Sequence, residues 1–138
     1  MKNTLERTGI YGSNRWPRVQ KKVRRIKKLF KDRGIALPPN VTFFITKRKR
    51  GWAYYLDGNR YVIMIPERAL AKGKADYLDY YFIHEATHVA SNYYEAITGH
   101  TMDFYRYFYK VCPPRYWHWE LDYMKTFSRF LRKRGYEI

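Results

Sequence analysis

The sequence contains a single cysteine, Cys112, which excludes an intrachain disulfide and a cysteine-based zinc ribbon. It also lacks any apolar run near the roughly 20 residues that a membrane-spanning helix needs. The opening stretch MKNTLERTGIYG has no apolar core of the kind found in signal peptides. These absences predict a soluble protein of the cytoplasm, or of the host cytoplasm if the source is viral, with no membrane partner.

Acidic residues are scarce in the first part of the chain. Residues 1–50 contain 16 Lys and Arg against only Glu6 and Asp32, whereas residues 51–138 contain 12 Lys and Arg against 10 Asp and Glu. The formal net charge of +16 is therefore concentrated at one end of the sequence. Such an asymmetry favours a polyanionic partner, most simply nucleic acid, over the alternative of a basic surface that only serves solubility.

The apolar pattern predicts a single α+β domain over residues 1–138, with a loose lead-in at 1–13. Helices are expected at residues 16–33, 77–98, 102–112 and 120–134, with Asp76 as the N-cap of the second. Strands are expected at 41–46, 52–56 and 61–65. Turn signals at 47–51 and 57–59 join these strands into a small, mainly antiparallel three-stranded sheet.

The sequence His84-Glu85-Ala86-Thr87-His88 lies within the second predicted helix. Positions four apart share one face of a helix, so both imidazoles can reach one metal ion. Glu85 lies about 100° further round, where it can accept a proton from a water that the metal activates. The pattern predicts a zinc site with His84 and His88 as ligands and Glu85 as general base. The alternative is a buried helix whose histidines are only hydrogen-bonded.

A catalytic zinc usually has three protein ligands, so a further donor is needed. His100 is favoured because Gly99 precedes it at the point where the chain must turn back. Asp103, one turn further, is the second choice and could instead orient a ligand. Glu95 shares the helix face but lies about three turns from His84 on a straight helix. His118 is expected to be a packed or surface histidine.

The stretch HEATH…GHTMDFYRYF resembles the SprT-like zinc metallopeptidases, whose members include the Spartan proteases. That family has HExxH on a helix and, further along, a His that usually follows Gly and precedes an aromatic residue. The matching positions are His84, Glu85, His88, Gly99, His100 and Phe104. The resemblance implies a zincin-like fold with a metal-binding HExxH helix, and Zn²⁺ held by His84, His88 and His100. It also implies cleavage of protein substrates on nucleic acid, with DNA favoured.

The resemblance covers about residues 16–112, and only the stretch 84–104 is specific. Many family members carry a C-terminal cysteine zinc ribbon, which this chain cannot form. The small size and the missing ribbon favour a phage origin. The C-terminal part, from Pro113 onwards, matches no motif.

Further roles follow from position in the sequence. The cations expected to contact phosphates are Arg18, Lys21, Lys22, Arg25, Lys28, Lys47, Arg48, Lys49 and Arg50. The strand YVIMI at 61–65 is expected to bind an extended substrate by strand addition, with a plain core strand as the alternative. Arg115, Tyr116 or His118 is expected to stabilise the oxyanion.

Three other functions stay open at this point. The chain could be a non-enzymatic nucleic-acid-binding protein that keeps the HExxH helix for structure. It could be a peptidase with no nucleic-acid role, or a toxin-like or anti-defence peptidase with one protein target. The oligomeric state does not follow from the sequence.

Overall fold

In a computed structural model, the described part of the chain combines four helices with a four-stranded mixed sheet. The structure describes residues 10–12, 16–38, 40–49, 51–56, 60–71, 73–91, 102–133 and 135. The strands are β1 (Ile10–Gly12), β2 (Val41–Thr46), β3 (Trp52–Leu56) and β4 (Arg60–Pro66). The helices are α1 (Pro17–Asp32), α2 (Ala75–Ala90), α3 (Met102–Val111) and α4 (Trp117–Lys133). Short 3-10 turns occupy Glu67–Leu70 and Pro114–Tyr116.

The strands lie in the order β1-β2-β4-β3, and the central pair is parallel. β2 runs beside β4 from Val41 opposite Tyr61 to Thr46 opposite Pro66. β1 and β3 pair antiparallel at the two edges. In this order β4 lies between β2 and β3 and pairs with both. In a meander, β3 would instead lie between β2 and β4.

The predicted fold class is therefore wrong. The sheet is not a three-stranded, mainly antiparallel meander, and β1 forms within the predicted lead-in. Within the residues described, no group of three or more His, Cys, Asp or Glu side chains could hold a metal ion. The described residues therefore do not show the metal-binding helix that the prediction of a zincin-like fold requires.

The prediction that the strand at 61–65 receives a substrate is also wrong. β4 lies between β2 and β3, so both of its hydrogen-bonding edges are already occupied. A strand in that position cannot accept another chain by strand addition. In the described sheet the edge strands are β1 and β3.

Helix α1 forms where its apolar spacing predicts. Val19, Val23, Ile26 and Phe30 are buried on one face, and Pro17 occupies the first turn, where its missing N–H costs nothing. At the other end Gly34 adopts a φ of +74°, the left-handed conformation that ends many helices. This backbone lets the amide of Ile35 donate to the carbonyl of Phe30 at 3.0 Å.

Helix α2 is the central element of the fold. It contacts α1, α3, β3 and β4, and its residues from Leu78 to Val89 are buried apart from the half-buried Tyr81. It begins at Ala75 after Lys74, so Asp76 lies in the first turn and is not the N-cap. The predicted extension of this helix over 92–98 lies outside the described residues.

Helices α3 and α4 confirm the other two helical predictions, although α4 begins at Trp117 rather than at residue 120. No helix in the described part of the chain has both the length and the apolar character needed to cross a membrane.

Gly51 gives a prediction for stability. A Cβ at this position would lie 2.2 Å from the carbonyl oxygen of Met64 and 2.8 Å from a ring atom of Tyr81. We expect Gly51→Ala to lower the free energy of unfolding by about 3 kcal/mol, because backbone and the half-buried ring of Tyr81 must move. Gly73→Ala is the control, since its only cost, about 1–2 kcal/mol, comes from a φ of +83° in open space. Equal losses in urea unfolding would contradict the steric explanation.

Candidate functional site

His84 and His88 lie on one face of α2, as their spacing predicts. Their ring centroids are 5.1 Å apart, and each residue is only 7% exposed. Glu85 lies beside them and is equally buried. The helix therefore brings the two imidazoles and the carboxylate together in the interior of the protein.

A buried glutamate of α4 holds His84 in place. Nδ1 of His84 lies 2.7 Å from Oε2 of Glu120, which has no exposed surface. The hydroxyl of Tyr80 donates to the same oxygen at 2.7 Å. Glu120 was not among the site residues predicted from the sequence, although a single acidic residue at the end of the aromatic stretch RYWHWE is a signal of a buried carboxylate.

The contact between Glu120 and His84 fixes which ring nitrogen carries hydrogen. Burial alone would raise the pKa of Glu120, but the charge of His84 and hydrogen bonds from His84 and Tyr80 lower it below its usual value. Burial works against protonation of His84, yet Glu120 raises the pKa of this imidazole above its usual value. An ionised carboxylate only accepts hydrogen bonds, so Nδ1 is the donor and Nε2 is the nitrogen that can bind a metal.

Glu85 has the electrostatics of a group that can exchange a proton near neutrality. Burial raises the pKa of its carboxyl to about 7, with the charge of His84 opposing the rise and that of Glu120 adding to it. Tyr81 lies one helical turn earlier on the same face. Burial raises the pKa of its hydroxyl to about 12, and the charge of Glu85 adds to this rise. The Tyr81 hydroxyl accepts a hydrogen bond from the amide of Gly51 at 2.8 Å. Glu85 thus shares a helix face with a residue that contacts the start of β3.

Aromatic rings from α3 and α4 surround the histidines. Phe104 lies 5.2 Å from the ring of His84 and 4.6 Å from that of His88. Tyr123 of α4 lies 5.3 Å from His84. These rings limit the motion of the imidazoles and lower the local dielectric constant, which strengthens electrostatic interactions within the site.

Two of the other proposed metal ligands, Asp103 and His118, make their contacts outside this cluster. Asp103 is exposed and pairs with Arg106 at 3.1 Å. His118 is exposed, and its Nδ1 lies 3.1 Å from the carbonyl oxygen of Arg115. Glu95, Gly99 and His100 lie outside the described residues.

The proposed oxyanion donors Arg115 and Tyr116 belong to a different network. The Arg115 guanidinium donates to the Tyr116 hydroxyl at 2.9 Å, and that hydroxyl donates to Asp79 at 3.3 Å. Asp79 precedes His84 by five positions on α2, which places it about 140° round the helix. The pair therefore lies away from the histidine face.

Two of the cations expected to contact phosphates are used within the fold. Nζ of Lys22 lies 2.8 Å from Oδ1 of Asp79, and the guanidinium of Arg25 contacts Oδ2 of the same carboxylate. These contacts join α1 to α2. Arg25 keeps an exposed side chain, whereas Lys22 is largely buried.

The remaining cations of that set lie mainly at the surface. The Arg18 guanidinium donates to the carbonyl of Leu70, and Lys28 pairs with Asp32 at 2.6 Å. The exposed residues among them are Arg18, Lys21, Lys28, Lys47, Arg48 and Lys49. Arg50 lies outside the described residues.

Comparison with known proteins adds no relative. No family model, no curated protein and no solved structure matches this chain. The function is therefore inferred from the residues and their geometry.

Proposed function

We propose that the protein is a zinc-dependent peptidase of the SprT-like type that acts on proteins associated with nucleic acid. The contact between His84 and Glu120 is the observation that supports this most. Metal-binding histidines almost always donate their second ring nitrogen to a carboxylate, a backbone carbonyl or water. Such a partner fixes the tautomer and raises the basicity of the nitrogen that binds the metal. A zinc ligand at His84 would give the fully buried carboxylate of Glu120 a function.

The donors on α2 suit zinc. His84 and His88 would hold the ion, and His100 is the proposed third ligand. Once bound, zinc would polarise a substrate carbonyl and lower the pKa of a water molecule to about 7. Glu85, whose pKa also lies at about 7, is the proposed general base. It would accept a proton near neutrality and pass it to the departing amine.

An extended substrate is proposed to lie along β3. This strand is at the edge of the sheet and packs against α2. Its start is joined to α2 by the hydrogen bond from Gly51 to Tyr81, one turn from Glu85. A peptide that adds to this edge would make main-chain hydrogen bonds and run past the general base.

Nucleic acid, with DNA favoured, is the proposed macromolecular partner. The chain carries a net charge of +16, and the turn after β2 exposes Lys47, Arg48 and Lys49. Contacts with phosphates release counterions, so binding should weaken steeply as salt is added. The cations already paired with Asp79 would contribute less than their number in the sequence suggests.

A non-enzymatic nucleic-acid-binding protein is the second candidate function. It is favoured by the absence of a three-donor metal cluster among the described residues. The aromatic rings packed around His84 and His88 are also compatible with a purely structural role for both histidines.

Zinc content distinguishes these two functions. We expect elemental analysis of the purified protein to give about one zinc per chain, as a single three-ligand site requires. His84→Ala is expected to remove that zinc, whereas His118→Ala, which changes an exposed histidine, should retain it. Wild-type protein that stays free of metal after zinc is added would favour the non-enzymatic function.

The third ligand has its own test. We expect His100→Ala to lower zinc affinity sharply, because the loss of one of three ligands leaves an incomplete site. The affinity is measured by competition with a chromophoric chelator, with Asp103→Ala as the matched variant. Unchanged affinity in His100→Ala combined with a loss in Asp103→Ala would move the ligand to Asp103.

A further inference from the structure

We infer that a cavity of about 470 Å³ at the start of α2 binds a base of single-stranded nucleic acid. The described residues that line it are Arg68, Gly73, Lys74, Asp76, Tyr77 and Trp119. The inference rests on the nucleic-acid partner in the proposed function and is independent of zinc and of peptidase activity. The volume of the cavity lies within the range of small-ligand pockets, about 300–1,000 Å³.

Two aromatic rings form one wall of the cavity. The rings of Tyr77 and Trp119 have centroids 5.5 Å apart and meet at 64°, and both residues are half-buried. Trp119 is also packed against Tyr80 and Tyr116, which hold the indole in position. A fixed ring that lines an open cavity offers a stacking surface to any base, because every base has a π-face.

Two exposed cations flank these rings. Nζ of Lys74 lies 5.7 Å from the centre of the Tyr77 ring, and the Arg68 guanidinium lies 5.9 Å from it. Arg68 also donates to the Tyr77 hydroxyl at 3.2 Å. These contacts orient the cations beside the rings in advance of binding, which lowers the entropic cost of association.

Arg68 joins the cavity to the basic turn after β2. Its Nε donates to the carbonyl oxygen of Lys49 at 3.0 Å. The backbone of Lys49, in this exposed basic turn, therefore lies beside Arg68, although the two residues are 19 positions apart in the sequence. A strand with one base in the cavity would have its neighbouring phosphates at this turn. Aromatic surfaces combined with a basic path are how proteins bind single strands.

The lining selects among anionic ligands. Asp76 places one carboxylate beside Arg68 and Lys74, and its Oδ1 lies 3.2 Å from the Tyr116 hydroxyl, whose single hydrogen it shares with Asp79. A carboxylate repels a free phosphate ion but can accept from the amino groups of a base. A duplex hides its base faces by stacking, and an acidic peptide would use the cations without the rings. A single-stranded nucleic acid uses both.

The test measures binding to the full chain carrying Glu85→Gln, so that proteolysis does not interfere. Three labelled ligands are compared by fluorescence anisotropy at low salt: an oligothymidine, an abasic strand of equal length, and a duplex. We expect the oligothymidine to bind about tenfold more tightly than the abasic strand, the effect of stacking one base. Equal affinity for these two strands would overturn the cavity inference and leave the nucleic-acid partner in place. No binding of any ligand would overturn both, and preferential binding of the duplex would also overturn the cavity inference.

Variants then locate the binding site. Trp119→Leu is expected to remove the preference for bases over abasic sites. Lys74→Glu, an exposed change that does not threaten folding, is expected to weaken binding severalfold and to reduce the salt dependence. Lys133→Glu makes the same charge change about 21 Å further along α4 from Trp119 and serves as the control. If Lys74→Glu and Lys133→Glu weaken binding equally, the effect is one of net charge and the inference fails.

Discussion

Glu85→Gln is expected to abolish peptidase turnover while zinc binding is retained. Glutamine has nearly the shape of glutamate but cannot accept the proton, and loss of a general base typically costs about 10²–10⁴-fold in rate. The ligands His84 and His88 are unchanged, so the metal should stay. The neutral amide also suits the surroundings, because burial already raises the pKa of Glu85 to about 7 and so disfavours the charge.

The measurement pairs kcat for a protein substrate, with DNA present, with zinc content from elemental analysis. Glu67→Gln is the matched control, since Glu67 is exposed and lies outside the cluster. Turnover of Glu85→Gln at the wild-type rate would contradict the proposed role of Glu85. Loss of zinc together with loss of turnover would show that Glu85 also supports the ligands.

Glu120→Ala is expected to reduce zinc affinity by about 10–100-fold, the usual effect of removing the carboxylate behind a metal-binding histidine. The side chain has no exposed surface, and its Oε2 is within 2.7 Å of both His84 and Tyr80. Without it, the imidazole loses its orientation and the tautomer in which Nε2 can bind a metal. Glu120→Gln keeps an acceptor for Nδ1–H but not the charge, so an intermediate affinity is expected.

A purely structural role for Glu120 would give a different result. Under either role, Glu120→Ala and Glu120→Gln should lower the melting temperature, because they disturb a buried polar group. If melting falls but zinc affinity equals that of the wild type, Glu120 does not position a ligand. Asp122→Ala is the control, as Asp122 is an exposed acidic residue two positions further along α4.

The helices were predictable because their signals are local. Helix α1 shows this, because its apolar residues recur at helical spacing from Val19 to Phe30. Pro17 marks its start and Gly34 follows its end, so every signal lies in or next to one element. The order of the strands was not predictable in this way. The pairing of Val41 with Tyr61 joins positions twenty residues apart. The apolar and polar pattern within a strand indicates which face is buried, but it does not identify the neighbouring strand.

In the candidate site, too, the local features were predictable and the contacts between distant parts of the chain were not. The four-residue spacing of His84 and His88 is enough to predict that both rings share one helix face, as they do. Glu120 approaches them from another helix, 36 positions along the chain, so no motif around the histidines could reveal it. Likewise, the number of cations in α1 did not show that Lys22 and Arg25 contact Asp79.

The parallel pairing of β2 with β4 also bears on the order in which the sheet assembles. β3 and β4 are neighbours in sequence and pair antiparallel, so they can come together as a hairpin in about 1–10 μs. β2 must close a longer segment of chain to reach the opposite edge of β4, and such non-local pairings slow folding. We therefore expect the sheet to be nucleated at β4 and then extended to β2. Among the described strands β1 pairs only with β2, so we expect it to be added after β2 is in place.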